Sequence, residues 1–389
     1  MRILHVVPTY IPAYRYGGPI YSVHNLCRNL VERKHEVDVY TTNVDGDQNR
    51  NVVEGEVVDL DGVKVRYFAC QYVRRLYYSS AMMKALRVHA KDYDLIHLHS
   101  VFLWPTWAAA RMARRNNVPY ILSPRGMLVK ELIMRKNRIL KTVWITLIER
   151  NNIAGAATVH LTSDAERNDL SAFVFRIAGT VVIPNGVENL MDWNKNEVSK
   201  DILEVIENQP LVLFLGRINW KKGLDRLIKA MTFMQDVQLV IAGNDEEDYL
   251  PGLQRLVAEN NLESHVSFVP RNVSGADKEA LYAAAKVFVL PSYSENFGNT
   301  VLEAMIRSVP VVVTPEVGAA EVVQNSCSGL VVDGDPKIMG NAIRELLGDE
   351  SEMARMGVAG KVEAESNYTW SKISESMSQL YDSIIDQGS

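Results

Sequence analysis

Val287-Phe288-Val289-Leu290-Pro291, followed closely by Ser294-Glu295-Asn296-Phe297-Gly298-Asn299-Thr300-Val301-Leu302-Glu303-Ala304-Met305, is the stretch on which the reading of this chain turns. The first part is a short apolar run ended by a proline. After Gly298 the period changes, and Val301, Leu302, Met305 and Ile306 recur at helical spacing. The stretch therefore predicts a strand, a glycine-containing loop and a helix. Such a loop places backbone N–H groups at a helix N-terminus, where a phosphate binds. Glu295 falls in the loop, beside the amides of Phe297, Gly298 and Asn299, and Glu303 falls just past the first helical turn. A glycosidase pair flanks one bond at about 5–5.5 or 6.5–9.5 Å. Eight residues of helix extend about 12 Å, so these two carboxylates read as separate contacts to ligand hydroxyls. An exposed helix start with glutamates as dipole partners fits the same residues.

The alternation of short apolar runs with helical patterns continues on both sides. Arg2–Val7 predicts a strand, Pro8–Pro19 a loop with Gly17-Gly18-Pro19, Ile20–Arg33 a helix and Val37–Thr41 the next strand, the opening of a parallel α/β sheet. Gly17-Gly18 is not a G-x-G-x-x-G fingerprint, but it lets backbone approach a ligand closely; turn formation alone explains it equally well. Asn43–Asp61 reads as a polar surface hairpin or loop, Val63–Ala69 as a strand and Ala81–Ala90 as a helix. In Asp94-Leu95-Ile96-His97-Leu98-His99-Ser100 the strand puts both histidines on one side. His97 reads as packed core. His99 ends the strand, where ligands bind in open α/β sheets. Trp104–Asn116 predicts a helix and Tyr120–Leu122 a strand. That strand runs into Ser123-Pro124-Arg125-Gly126, where Arg125 is a candidate anion or acceptor contact or an ordinary turn residue.

Met127–Asn151 reads as one long basic amphipathic helix: Lys130, Arg135, Lys136, Arg138 and Lys141 alternate with Leu132, Ile133, Ile139, Leu140, Trp144 and Leu147. Such a helix can rest on an anionic membrane or simply pack one face on the core. Ala157–Leu161 and Val181–Ile183 predict strands, and Thr162-Ser163-Asp164-Ala165-Glu166 a helix N-cap. Beyond Gly186 the apolar pattern lapses until Pro210, which marks a domain boundary. Leu211–Leu215, the loop Gly216-Arg217-Ile218-Asn219-Trp220-Lys221-Lys222-Gly223 and the helix Leu224–Met231 open a second α/β unit. Arg217 and Lys222 sit between a strand end and a helix start, suited to neutralise a departing diphosphate. Val237–Gly243, Val266–Val269, Val309–Thr314 and Gly329–Val332 predict further strands, Asp245–Asp248 a solvated acidic loop or cap, and Trp370–Ile385 an amphipathic helix.

The sequence has 389 residues, beyond one ordinary domain. The first 190 residues carry 25 Lys and Arg against 17 Asp and Glu, and the rest carry 17 against 30, so the halves differ in charge and in expected partners. Three scattered cysteines, Cys27, Cys70 and Cys327, predict neither a disulfide framework nor a metal knot and suit a reducing compartment. No apolar run is long enough for a membrane-spanning helix, and Met1–Pro8 reads as a strand rather than a signal peptide.

Taken together, Gly17-Gly18-Pro19, Asp94–Ser100, Ile183-Pro184-Asn185-Gly186-Val187, Gly216-Arg217 with Lys222-Gly223, and Glu295 with Glu303 resemble a family 4 glycosyltransferase of the GT-B fold, in the family's order and over nearly the whole chain. Ser123–Leu128 resembles a subset active in bacterial surface polysaccharide assembly. The resemblance implies two Rossmann-like domains across a cleft: residues 1–188, acceptor-binding and completed by the helix 370–389, and residues 189–369, nucleotide-sugar-binding. It implies a retaining, metal-independent hexosyl transfer, UDP-linked in preference to GDP-linked, to a glycan or lipid-linked acceptor. No cofactor, metal or nucleic acid is expected, and the implied location is cytoplasmic, peripheral at the membrane through 127–151. Arg217 and Lys222 would bind the donor diphosphate with help from Gly17, Gly18 and Phe297–Asn299. Glu303 would hold the ribose, Glu295 the transferred sugar, and His99 would lie beneath that sugar. The base would be read near Pro270-Arg271, with Arg271 a donor contact and Arg125 an acceptor contact. Lys34 departs from the family, which usually has glycine before His35-Glu36. The rival readings are a nucleotide-sugar epimerase of the same fold and a non-enzymatic two-domain sugar-binding protein.

Overall fold

The structure is a computed structural model that describes residues 1–389 except 15, 16, 47, 51–55, 131, 132, 134–137, 207–209, 235, 247 and 389. The chain forms two compact units, Met1–Gly186 with Trp370–Ser389, and Val187–Thr369.

In the first unit eight strands form one sheet in the order Thr180–Val182, Thr158–Leu161, Tyr120–Ser123, Leu95–His99, Arg2–Val6, Glu36–Thr42, Val63–Phe68, Val57–Leu60. All neighbours are parallel except the last pair. Leu95–His99 and Tyr120–Ser123 are buried along their whole length, as expected for parallel strands covered by helices on both faces. The helix Gly18–Glu32 packs Val23, Leu26, Cys27 and Leu30 into the core.

The helix Trp370–Gly388 belongs to this unit although it ends the chain. Trp370, Ile373, Met377 and Tyr381 are buried in the same cluster as Val23 and Leu26. Trp370 lies so close to Gly186 that a Cβ there would meet the indole at 2.5 Å. Arg33 donates to Ser374 Oγ and to the Ser371 carbonyl, both at 2.9 Å.

The second unit holds six parallel strands in the order Val266–Val269, Gln238–Ala242, Leu211–Leu215, Ala285–Leu290, Val311–Val313, Gly329–Val331. In both sheets the order reverses beside one strand, Arg2–Val6 in the first and Leu211–Leu215 in the second. The loops leaving the strands at such a reversal diverge and open a crevice at the strands' C-terminal ends.

Several expectations are corrected. Within Asn43–Asp61 the expected hairpin is present, Val44–Asp45 pairing with Gln48–Asn49, but Val57–Leu60 is an antiparallel edge strand that was not expected; 47 and 51–55 lie outside the described residues. The gap before Pro210 holds the helix Lys200–Ile206, with Ile202 buried. The helices Leu250–Glu259, Gly275–Ala284, Ala320–Ser326, Pro336–Leu347 and Glu350–Asn367 complete the second unit. In 127–151 Lys130 and Ile133 are helical, and the helix Arg138–Trp144 widens into a π-helical turn at Ile145–Glu149 and runs on to Ala154; Leu132, Arg135 and Lys136 lie outside the described residues. Its apolar residues are not all core: Ile139 is 81% exposed and Leu147 66%.

Lys34 shows why a glycine suits its position. It follows the end of Gly18–Glu32 in a left-handed conformation, φ 67°. The amide of His35 reaches the carbonyl of Leu30 at 3.1 Å and that of Lys34 reaches Val31 at 2.8 Å, the paired bonds of a Schellman motif. An L-residue there costs about 1–2 kcal/mol. Lys34→Gly is therefore expected to raise unfolding stability by about 1 kcal/mol, measured as a higher denaturation midpoint at unchanged slope.

Candidate active site

In the second unit the loops at the order reversal carry most of the residues expected from the sequence. Gly216 to Gly223 leaves Leu211–Leu215, and Pro291 to Gly298 leaves Ala285–Leu290. Gly223, φ 64°, starts the helix Leu224–Met231; a Cβ there would meet the Pro291 carbonyl oxygen at 2.0 Å, so glycine is required for the two loops to touch. Gly298, φ 94°, is the N-cap of Asn299–Ile306, and Phe297 is buried behind it. The Glu295 amide donates to the Glu316 carbonyl at 3.0 Å, which braces the loop against its neighbour.

The structure brings Lys222 and Glu295 into a direct ion pair. Arg217 Nη1 donates to Glu246 Oε1 at 2.6 Å, and Asn219 donates to Glu246 Oε2 at 2.8 Å. Asp245 serves as the cap that the sequence allowed for, accepting from the amides of Tyr249 and Leu250 at the start of the next helix, while Glu246 is no solvated loop residue but holds Arg217. Glu303 projects from Asn299–Ile306 and accepts from the Tyr282 hydroxyl at 3.2 Å.

Arg271 departs from expectation. It follows Val266–Val269, the edge strand two places from the order reversal. Its guanidinium is held by both oxygens of Asp201 at 2.9 Å and by Asp277 at 2.8 Å. These carboxylates raise the Arg271 pKa above its ordinary value. The side chain thus ties the helices Lys200–Ile206 and Gly275–Ala284 together rather than offering an open cation.

In the first unit Gly17, φ 67°, caps the helix that begins at Gly18. His99 is buried, and both its ring nitrogens have partners: Arg125 Nη2 donates to Nδ1 at 3.2 Å, and Nε2 lies 3.0 Å from His5 Nδ1. As placed, the imidazole braces Arg125 and His5 instead of offering a free nitrogen to a ligand. Arg125 is not a solvated turn residue. Its φ is 56°, and Nη1 donates to Asn185 at 3.0 Å.

These contacts fix the proton positions. Arg125 can only donate, so His99 Nδ1 accepts, and its hydrogen on Nε2 goes to His5 Nδ1. A second chain runs beside it. The Ile183 carbonyl can only accept, so His160 Nε2 donates to it at 2.8 Å and His160 Nδ1 accepts from Ser123. Ser123 in turn accepts from His97 Nε2 at 2.7 Å, and His97 Nδ1 accepts from Tyr381 at 2.7 Å. His97 is a packed core residue, and the C-terminal helix is bonded to it.

Sequence reasoning missed His5, His160, Ser123, Tyr381 and Glu246 as part of these constellations. His5 stands in register with His97 on the neighbouring strand, a pairing visible only once the strand order is known. His5, His97 and His99 could geometrically hold a metal ion. His5 Nε2 has no hydrogen-bond partner among the described residues, but both nitrogens of His97 and of His99 are engaged, and the Arg125 guanidinium beside His99 repels a cation, so the three residues together do not fit one.

Residues 17–186 match the family described as glycosyl transferase 4-like domain, and residues 195–363 match glycosyl transferases group 1. The D-inositol 3-phosphate glycosyltransferase of Corynebacterium urealyticum is 26% identical over 95% of this chain and 91% of its own. Sucrose-phosphate synthase from Thermosynechococcus elongatus superposes with a TM-score of 0.79 at 23% identity, over 99% of each chain. Anabaena HepE, solved with UDP and glucose, gives 0.78 at 21% identity over 98% of this chain and 100% of that one. The architecture is thus GT-B: two α/β domains, each built on a parallel sheet. With both halves matched, the chain belongs to the family 4 glycosyltransferases, enzymes that transfer a sugar from a nucleotide-sugar.

Burial and then the Arg125 charge push His5 and His160 down to about 3. The same two causes hold His99 well below its ordinary value; burial and then His99 do so for His97. All four are neutral when folded and regain 6.5 when unfolded. Below pH 6.5 the unfolded chain therefore binds protons the folded one does not. Stability is full above that pH and falls as pH drops towards 3, by up to about 1.4 kcal/mol per pH unit for each histidine. Val187–Thr369 contains only His265. Lowering the pH from 7.5 to 5 is expected to reduce hydrogen-exchange protection more in Leu95–His99 than in Leu211–Leu215, after correction for intrinsic rates; equal losses would contradict this.

Proposed function

We propose that this chain is a retaining, metal-independent glycosyltransferase of polysaccharide assembly. It moves a hexose-type sugar, UDP-linked in preference to GDP-linked, to a glycan or lipid-linked acceptor. The observation that carries the reading is the loop pair at the order reversal of the second sheet, with Arg217 and Lys222 on one loop and Glu295 and the N-terminus of Asn299–Ile306 on the other. Residues 189–369 take the donor, and residues 1–188 with 370–389 take the acceptor.

In this reading Arg217 and Lys222, with the amides of Phe297–Asn299, receive the diphosphate as its charge develops. Lys222 exchanges Glu295 for phosphate, which frees the Glu295 carboxylate for sugar hydroxyls. Glu303 accepts from the ribose. The bond from the anomeric carbon to the phosphate oxygen breaks, and the acceptor oxygen bonds to that carbon on the same face. The acceptor's proton passes to a phosphate oxygen, so no separate base is required. Arg217 and Lys222 supply the positive charge that a divalent ion would otherwise provide. The base is read by backbone near Pro270-Arg271, since the Arg271 side chain is engaged. His99 acts through Arg125, which it orients towards the acceptor side. UDP in the HepE structure supports the donor preference.

A thermal-shift screen against UDP, GDP, ADP and dTDP, with and without EDTA, tests this directly. A nucleotide at 100 times its dissociation constant stabilises by about 2.7 kcal/mol. UDP is expected to give the largest shift, indifferent to EDTA. A shift abolished by EDTA would remove the metal-independent mechanism, and no shift with any nucleotide would remove the transferase reading in favour of a sugar-binding protein. Release of free sugar or acceptor product, against interconversion of the nucleotide-sugar, separates transferase from epimerase.

Peripheral membrane contact, with a cytoplasmic location, is part of the same proposal. Ile139, Val143 and Leu147 recur every four residues and are 81%, 49% and 66% exposed. No helix among the described residues is long and apolar enough to cross a membrane. The stripe instead lies in the headgroup region, its apolar side chains toward the acyl chains. Ile139→Asp with Leu147→Asp is expected to abolish co-sedimentation with phosphatidylglycerol vesicles while leaving the melting temperature unchanged. Undiminished binding by this variant would exclude the stripe.

A further inference from the structure

The helix Gly275–Ala284 carries no residue that the reaction above uses, yet it presents two polar side chains to Glu303. Tyr282 is 1% exposed. A hydroxyl buried that deeply is costly unless bonded, and phenylalanine would fill the same space without that cost. The Tyr282 hydroxyl lies 3.2 Å from Glu303 Oε2 and 3.3 Å from the Thr300 carbonyl, both on the helix that begins at Asn299. One turn earlier, Lys278 Nζ lies 3.4 Å from the same Oε2.

The ring of Tyr282 is itself fixed. The Arg307 guanidinium lies over it at 4.9 Å, donates to the Glu303 carbonyl at 2.8 Å and is paired with Glu279, with both side chains of that pair buried. The two contacts to Glu303 converge on one oxygen. Oε1 has no hydrogen-bond partner among the described residues. A carboxylate held by one oxygen presents the other, with its lone pairs, in a single direction.

We propose that Tyr282 and Lys278 are positioning residues that lock Glu303 in the rotamer that reads the ribose, and that they thereby set the preference for ribonucleotide over sugar-deficient nucleotide donors. This rests on the assignment of Glu303 to the ribose made above. Without the lock the glutamate samples several rotamers, and each hydroxyl contact is made at the expense of that freedom. The effect falls on ligands that carry the ribose hydroxyls and leaves the diphosphate contacts of Arg217 and Lys222 untouched.

The test is isothermal titration of the full chain with UDP and with 2′,3′-dideoxy-UDP. The wild-type protein is expected to bind UDP at least about tenfold more tightly than the dideoxy analogue, the scale of a hydrogen bond to a charged group. Glu303→Ala is expected to abolish that ratio. Tyr282→Phe is expected to reduce it several-fold while leaving dideoxy-UDP affinity unchanged, and Lys278→Met, which keeps the length of the stem and removes the charge, is expected to act in the same direction. Two results would overturn the inference alone: an unchanged ratio in both positioning variants while Glu303→Ala abolishes it, or an equal weakening of both ligands. A ratio that survives in Glu303→Ala would overturn the ribose assignment and the inference with it.

Discussion

Where a parallel sheet reverses its strand order, two neighbouring strands send their loops in opposite directions, and no helix can cover the gap between them. Every candidate functional residue on the second sheet except Arg271 depends on that geometry. Leu211–Leu215 and Ala285–Leu290 are paired neighbours, so the loops leaving them bring Lys222 to Glu295 across 73 residues of sequence. The close approach at Gly223 makes the contact possible. The first sheet repeats the geometry beside Arg2–Val6, where Leu95–His99 and Gly17 stand.

The two units handle the charge of their candidate residues differently. The second pairs each functional cation with a carboxylate: Arg217 with Glu246, Lys222 with Glu295, Arg271 with Asp201 and Asp277. An incoming anion therefore exchanges one partner for another instead of meeting bare charge. The first unit keeps one guanidinium, Arg125, among imidazoles that burial first, and its charge second, hold neutral. Directed hydrogen bonds, each with one allowed polarity, stabilise that arrangement.

The parts of the fold legible in the sequence are those with a local signature. The strand–loop–helix around Gly298, the N-cap at Ser163 and the helix Leu224–Met231 all announce themselves within a dozen residues through a change of period or a capping side chain. The helix Gly275–Ala284 escaped because it passes into the strand at Ala285 with no intervening turn residue, through an alanine-rich stretch with no clear face. Lys200–Ile206 escaped because its seven residues are too short to display a helical period. At the site, Arg217, Lys222, Glu295 and Glu303 were legible from their places at loop and helix starts. Their partners were not: Glu246, Tyr282 and His5 reach their targets through strand order and register, which no local pattern encodes.

The placement of Trp370–Gly388 has a consequence for biosynthesis. The core of the first unit contains Trp370, Ile373, Met377 and Tyr381, while the second unit, Val187–Thr369, is one uninterrupted segment. During translation the later unit therefore has all its residues available first. The earlier one must wait on the ribosome with the groove beside Gly18–Glu32 uncovered until the last helix emerges. Vectorial folding, which ordinarily completes domains from the N-terminus onward, runs in reverse order here, and the exposed groove is the surface that a chaperone would have to guard.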